Sequence, residues 1–410
     1  MRVLHTSDWH LGQQLLGQSR LQESQAFLDW LVDTITNNEV DVLVVAGDIF
    51  DSTVPSNRAL TQFFNFLDTV RKRTNCSNIV VVGGNHDSPS LLNAPKAILE
   101  HIGIHIIGSA LSNPADEVLL LRDQNNQPIG IIGAVPYLRD RDVRRVFGNE
   151  TRSDKEDALL AGIKEHYQLV AEQAKHLLKQ EGNLPCLATG HLFAQGGCVQ
   201  KGDEVRELYI GNLSRVTADT FDPVFQYVAL GHLHQLQEIA KSQRVFYSGA
   251  PYPMSFDECH SKKSVILVNF KEDKLSSVET ITVPVFQTLE QIEGTVDAIY
   301  SKLLELCEQN SSAWVDIHYT GDEIISNLRE RLLKNLKSNS LNILRIRDDA
   351  RRVALLTSSG FSGKNLDELK PEDVFEKRLK EAGIPEAQCN DLRSLFSKVL
   401  HTYLQKDSHF

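Results

Sequence analysis

The chain has 410 residues, 41% of them hydrophobic and 24% charged, with a formal net charge of −11 at neutral pH. Such a length allows two or three domains, and the composition excludes a disordered or fibrous chain. No apolar run approaches the roughly 20 residues that span a bilayer. The start of the chain, Met1-Arg2-Val3-Leu4-His5, enters a strand-like run without the apolar core of a secretory leader, and Cys76, Cys186, Cys198, Cys259, Cys307 and Cys389 form no close pair. The expectation is a cytoplasmic protein with no membrane span, no disulfide framework and no thiolate-held zinc.

In chain order, Val3–Thr6 reads as a buried strand that runs into Asp8-Trp9-His10. Leu21 to Ile35 places Phe27, Leu28, Leu31, Val32 and Ile35 at helical spacing. Val42–Ala46 is a second strand, ending in Gly47-Asp48. Asn57 to Arg71 repeats the helical spacing through Leu60, Phe63, Phe64, Leu67 and Val70. Ile79–Val82 runs into Gly83-Gly84-Asn85-His86-Asp87. Strand-like runs at Ile104–Ile107, Val118–Leu121 and Ile129–Val135 precede a helix over Leu159 to Leu178. Cys186–Thr189 ends at Gly190-His191, and Tyr227–Leu230 at Gly231-His232-Leu233-His234. Val245–Tyr247 and Val265–Phe270 crowd this stretch with strands, so part of the sheet is expected to be antiparallel. Strands alternating with helices predict an α/β layered domain over 1–280.

A new pattern begins near Val283. Val283–Gln287 reads as a strand, Thr288–Cys307 as a helix, Trp314–Tyr319 as a strand, Glu323–Leu336 as a helix and Asn342–Ile346 as a closing strand. This makes a small α+β accessory domain over 281–350. Residues 351–370, with the run Thr357–Asn365 rich in Ser and Gly, read as a linker. Pro371 and Pro385 open two helices over 371–410, the second with Leu392, Leu395, Phe396, Val399, Leu400, Tyr403 and Leu404 on one side.

Five apolar runs thus end in metal-binding residue types, and in α/β sheets sites form outside the carboxyl ends of strands. Asp8 and His10, two apart, can point the same way. A carboxylate has two oxygens and can bridge two cations, which singles out Asp48. Asn85 adds an amide oxygen, and His191, His232 and His234 add imidazole nitrogens. Two carboxylates, one amide and four imidazoles suit Mn²⁺, Fe or Zn²⁺ better than Mg²⁺ or Ca²⁺. Two such ions clamp the attacking and leaving oxygens of a phosphoryl displacement. His86, next to Asn85, is placed to act as a general acid, with Asp51 or Asp87 as its orienting partner. The acidic net charge argues against a nucleic-acid substrate, but a ligand meets the local field, to which bound cations add.

Asp8-x-His10, Gly47-Asp48-x-x-Asp51, Gly84-Asn85-His86-Asp87, Gly190-His191 and Gly231-His232-x-His234 resemble, complete and in order, the signature of the calcineurin-like metallophosphoesterases. The flanks Met1–Gly12 and Tyr247–Phe256 resemble the bacterial SbcD family of nuclease subunits, counterparts of the archaeal and eukaryotic double-strand-break repair nucleases. The resemblance covers essentially the whole chain. It implies a layered β-sandwich flanked by helices, with a capping domain and C-terminal helices. It implies one metal on Asp8, His10, Asp48 and His234, and a second on Asp48, Asn85, His191 and His232. His86 would be the catalytic acid or transition-state stabiliser. Asp51 stands where phosphatase relatives place its partner, and some archaeal relatives have His there.

The same resemblance implies Mn²⁺-dependent exonuclease and endonuclease activity on DNA ends and hairpins in replication, recombination and repair. The implied partner is SbcC, an ATPase with long coiled coils. This chain has no phosphate-binding Walker loop of its own, since Ser358 and Asn365 break the one near-match. The Leu392, Phe396, Val399 and Tyr403 stripe would dock on that coiled coil, or pack within its own domain. Arg139, Arg141, Arg144 and Arg145 read as a DNA-backbone contact or a solvated loop. Phe63, Phe64, Phe66 and Leu67, with Leu91 to Leu99, would build a homodimer that joins two SbcC chains. The competing function is a phosphoesterase of small molecules or phosphoproteins, and the competing class a metal-free scaffold.

Overall fold

The computed structural model describes residues 1–143, 152–194, 216–321, 325, 327–333 and 341–348, with eight further residues between 375 and 396. The strands of the amino-terminal part are β1 (Arg2–Thr6), a small ribbon β2 (Gln14–Leu15) and β3 (Gln18–Ser19), β4 (Val42–Ala46), β5 (Asn78–Val82), β6 (Ile104–Ile107), β7 (Val118–Arg122) and β8 (Pro128–Gly133). They continue with β9 (Cys186–His191), β10 (Tyr227–Gly231), β11 (Gln237–Glu238), β12 (Val245–Tyr247), β13 (Ser264–Lys271) and β14 (Lys274–Thr282). Two six-stranded sheets result, in the orders β14-β13-β1-β4-β5-β6 and β11-β12-β10-β9-β8-β7.

The runs are apolar without alternation because both faces of each sheet are covered. In β4, Val42 and Val44 face the other sheet, where Leu187, Tyr227 and Ala229 meet them. Leu43 and Val45 point the opposite way, onto α1 (Leu21–Asn37) and α2 (Asn57–Arg73), against Phe27, Leu31, Phe63 and Leu67. The second sheet is covered on its outer face by the helix Arg152–Glu181, through Ile163, Tyr167, Val170 and Ala174. Each large side chain buried this way contributes about 1.5–3 kcal/mol of transfer free energy. The helix α2 starts at Ser56, whose hydroxyl accepts from the Ala59 amide at 3.3 Å, and ends in Arg71, Lys72 and Arg73, which suit its negative end. β1, β4, β5 and β6 are parallel, while β13 pairs antiparallel with both β1 and β14, as the crowding of strands there predicts.

The chain divides into two compact units, 1–291 with 312–315, and 292–311 with 316–410. A three-stranded sheet follows in the order β15 (Leu289–Gly294), β16 (Trp314–Tyr319) and β17 (Asn342–Asp348), with a helix at Val296–Glu308. This corrects the expected strand at Val283–Gln287 and helix from Thr288. Pro284 has no N–H for a ladder, so pairing starts later. The helix waits for Thr295, whose side chain accepts from the Ala298 amide at 3.5 Å. β14 was not expected, because this edge strand is largely exposed and its apolar residues are sparse. Among the described residues no helix is long and apolar enough to cross a membrane.

Candidate metal centre

β1, β4, β5, β9 and β10 all end at one rim, and the parallel pairing of β1 with β4 continues beyond the strands. Asp8 N–H donates to the Gly47 carbonyl at 3.0 Å, and His10 N–H to that of Asp48 at 3.0 Å. The two carboxylates are therefore brought level by the backbone itself. Asp8, His10, Asp48 and His232 all have positive φ, of 53°, 44°, 51° and 105°. Non-glycine residues in this region are uncommon and gather at functional sites. Close approach also needs glycine at two points. A Cβ on Gly84 would lie 2.1 Å from Asp48 Oδ1, and one on Gly47, whose φ is +91°, would lie 2.2 Å from His191 Nδ1.

Among the described residues, three overlapping groups have ligand atoms within 4.8 Å of one another: Asp8, His10 and His234; His10, Asp48 and His86; Asp48, His191 and His232. Asn85 joins the last, its Oδ1 lying 3.0 Å from His191 Nε2 and 3.1 Å from His232 Nδ1. Asp48 Oδ2 is 3.1 Å from His191 Nε2 and 3.8 Å from His10 Nε2. His191 Nδ1 meets the Ala46 carbonyl at 2.9 Å. A carbonyl only accepts, so Nδ1 carries a hydrogen and Nε2 faces the rim, able to take a metal ion once it gives up its own proton.

The electrostatics fit a cation site. Burial raises the Asp8 carboxyl to about 6. Burial opposes the charge on Asp48 too, but His191 beside it holds that carboxyl well below the usual carboxylate range. Burial would lower His10 and His191; Asp51 and Asp48 around His10, and Asp48 beside His191, instead raise both to about 9. Burial lowers His232 to about 3. Both ring nitrogens of His10 are buried without a hydrogen-bond partner. Imidazole nitrogens left so, beside two carboxylates, are what a metal ligand looks like without its ion. The donor set of oxygens and imidazoles fits divalent transition-metal ions.

Of the two candidates for orienting His86, it is Asp51 that its ring meets, through the main chain. The His86 amide donates to Asp48 Oδ1 at 2.9 Å, and its Nδ1 meets the main-chain carbonyl of Asp51, not the carboxylate, at 3.0 Å. The Asp51 carboxylate stands 3.6 Å from His10 Nδ1. The Asp87 carboxylate accepts from the amides of Ile49, Phe50 and Gly84 at 3.1, 3.0 and 2.8 Å, so it ties two loops together. Ser7 was missed: its hydroxyl donates to Asp8 Oδ2 at 2.5 Å and lies 2.8 Å from the Ser248 hydroxyl. Nothing in its local sequence marks it beyond adjacency to Asp8.

Arg139 reaches the rim, its guanidinium donating to the Asp87 carbonyl at 3.4 Å, whereas Arg141 is exposed beside Asp142. Arg144 and Arg145 lie outside the described residues, as do Val399 and Tyr403. Phe396 stacks on Phe375 with ring centroids 4.0 Å apart, while Leu395 is exposed. Phe63, Phe66 and Leu67 are buried in their own core, two of them against Trp9, and Phe64 is left at the surface.

Fold and rim together define a metal-dependent phosphoesterase, and residues 1–236 match the calcineurin-like phosphoesterase family. Residues 285–382 match the Type 5 capsule protein repressor C-terminal domain. The chain is 37% identical to the SbcD component of the SbcCD nuclease from Escherichia coli K12, over 98% of each chain. It is 32% identical to the same component from Bacillus subtilis, over 77% of this chain and 78% of the other. A solved dimetal phosphatase from Danio rerio matches at 16% identity with a TM-score of 0.35, covering 69% of this chain and 99% of that one. The chain belongs to the calcineurin-like phosphoesterases, and among them to the SbcD components of SbcCD nucleases.

Proposed function

We propose that this chain is the nuclease component of an SbcCD-type complex, cleaving phosphodiester bonds at DNA ends and hairpins with two bound Mn²⁺ ions. The observation that carries the reading is the run of three overlapping ligand groups, two of which share the buried carboxylate of Asp48. Asp8, His10, Asp48 and His234 would hold one ion, and Asp48, Asn85, His191 and His232 the other. The ions, when bound, supply charge neutralisation and a hydroxide near neutral pH. His86 then serves the leaving oxygen. The Asp51 carbonyl takes its Nδ1 hydrogen, so Nε2 is the atom left to deliver a proton. Asp51 acts on His10 through its carboxylate and on His86 through its carbonyl.

The partner in this reading is an SbcC-type ATPase with a coiled coil, met by the C-terminal helices, in a heterotetramer built on a homodimer of this chain. Phe64 on α2 and Ile98 on the short helix Lys96–Glu100, both exposed, are the residues that support self-association. Arg139 at the rim supports contact with a DNA backbone. The test is turnover of a hairpin DNA against a generic aryl phosphodiester, each with Mn²⁺. Preferred cleavage of the hairpin is expected; equal or better turnover of the aryl ester would favour a small-molecule phosphoesterase.

A further inference from the structure

We infer that Glu258 is a positioning residue for the metal centre, holding the imidazole of His234 by accepting its Nδ1 hydrogen. Glu258 ends the short turn Phe256–Glu258 and is 1% exposed. Its Oε2 accepts from the Met254 amide at 3.2 Å and pairs closely with the Lys263 ammonium. Its Oε1 is buried with no hydrogen-bond donor, and stands 4.0 Å from His234 Nδ1. Lys263 also donates to the His234 main-chain carbonyl at 3.0 Å, and the Ala250 amide meets the same carbonyl at 3.1 Å. One ion pair therefore grips the main chain of His234 and faces its ring.

The physical case rests on what a half-satisfied carboxylate needs. A buried oxygen without a donor is costly, and native structures rarely leave one without reason. The imidazole N–H 4.0 Å away closes to hydrogen-bond distance with a small turn of either side chain. That bond fixes the tautomer, turns Nε2 toward Asp8 and His10, and makes the ligand more basic. Lys263 cancels the carboxylate charge, so the support adds no net charge under the rim. The inference rests on His234 being a ligand, as proposed above.

The experiment is Mn²⁺ titration calorimetry on the full chain, comparing wild type with Glu258→Gln, Glu258→Asp and His234→Ala. Imidazole ¹⁵N resonances of the Zn²⁺-loaded proteins are recorded alongside. Either Glu258 variant should weaken one of the two ions by about 10–100-fold and leave the other as it was. The His234 imidazole signals should shift with it, which a purely structural role would not produce. Glu258→Asp keeps a negative charge beside Lys263 but draws the carboxylate back from the His234 ring, so it decides the matter alone if Glu258→Gln does not fold. Wild-type affinity for both ions in the Glu258 variants, with one ion lost in His234→Ala, would overturn the role of Glu258. Both ions retained in His234→Ala would instead overturn the ligand reading beneath it.

Discussion

Asp48 at the rim and Asp316 on β16 are both buried carboxylates, 2% and 0% exposed, but their charges are balanced in opposite ways. Asp316 is gripped by the Arg345 guanidinium at 2.9 and 2.8 Å and by that of Arg347 at 2.9 Å. A guanidinium stays charged at any physiological pH, so this cluster has one state. Asp48 is balanced by His10 and His191, imidazoles that can lose their protons. A proton on imidazole can be exchanged for a metal ion, and a guanidinium cannot. The chemistry of the partner, not the burial of the acid, separates a site from a structural clamp.

The largest effect that this comparison predicts is at Asp48. Asp48→Ala should abolish cleavage and weaken Mn²⁺ at both positions, because the carboxylate belongs to two of the three ligand groups. Calorimetry that finds one ion at wild-type affinity would show that Asp48 does not bridge. His86→Ala comes next: metal content retained, with cleavage reduced by roughly 10²–10⁴-fold. If bound metal falls in parallel, His86 is a ligand, as its place beside His10 and Asp48 would also allow.

Proton exchange at the rim gives a third test. His10 and His191 are raised to about 9 without metal, so at pH 7 each must give up a proton to bind an ion. Mn²⁺ affinity should therefore climb as pH rises toward about 9, by about tenfold per unit for each displaced proton, and level off above it. Titrations in buffers of different ionisation heat count the protons released; none released at pH 7 would mean that both imidazoles are already neutral. The smallest effect belongs to the clamp. Asp316→Ala should cost roughly 1–2 kcal/mol, since its two guanidiniums remain partly in water. Thermal melting should record that loss, with Mn²⁺ binding unchanged; a variant that loses metal would tie Asp316 to the rim.

The strands and the candidate ligands at their ends were legible in the sequence for one reason. Sheets covered on both faces need continuous apolar runs, and the abrupt change to Gly with Asp, Asn or His marks where such a run leaves the core. The runs Val42–Ala46 and Ile79–Val82 are of this kind. The edge strand β14 lacks that contrast, and the start of β15 depended on Pro284 and on the cap at Thr295. In the sequence Phe63 and Phe66 read as homodimer contacts, because a linear sequence does not show that both of them pack on Trp9 within their own core.

By itself, then, the sequence determined which residue types stand at the ends of five strands, and so the class of chemistry that the rim supports. The tertiary structure decided how those residues are held. Asp51 offers its carbonyl to His86 and its carboxylate to His10, while Asp87 spends its oxygens on backbone amides. Glu258, twenty-four residues beyond His234 in the chain, comes within 4.0 Å of its ring. A ligand can be read from residue type and spacing, because any strand end presents it to the same rim. A hydrogen-bond partner is set by backbone positions to within an ångström, across loops that only the folded sandwich brings together.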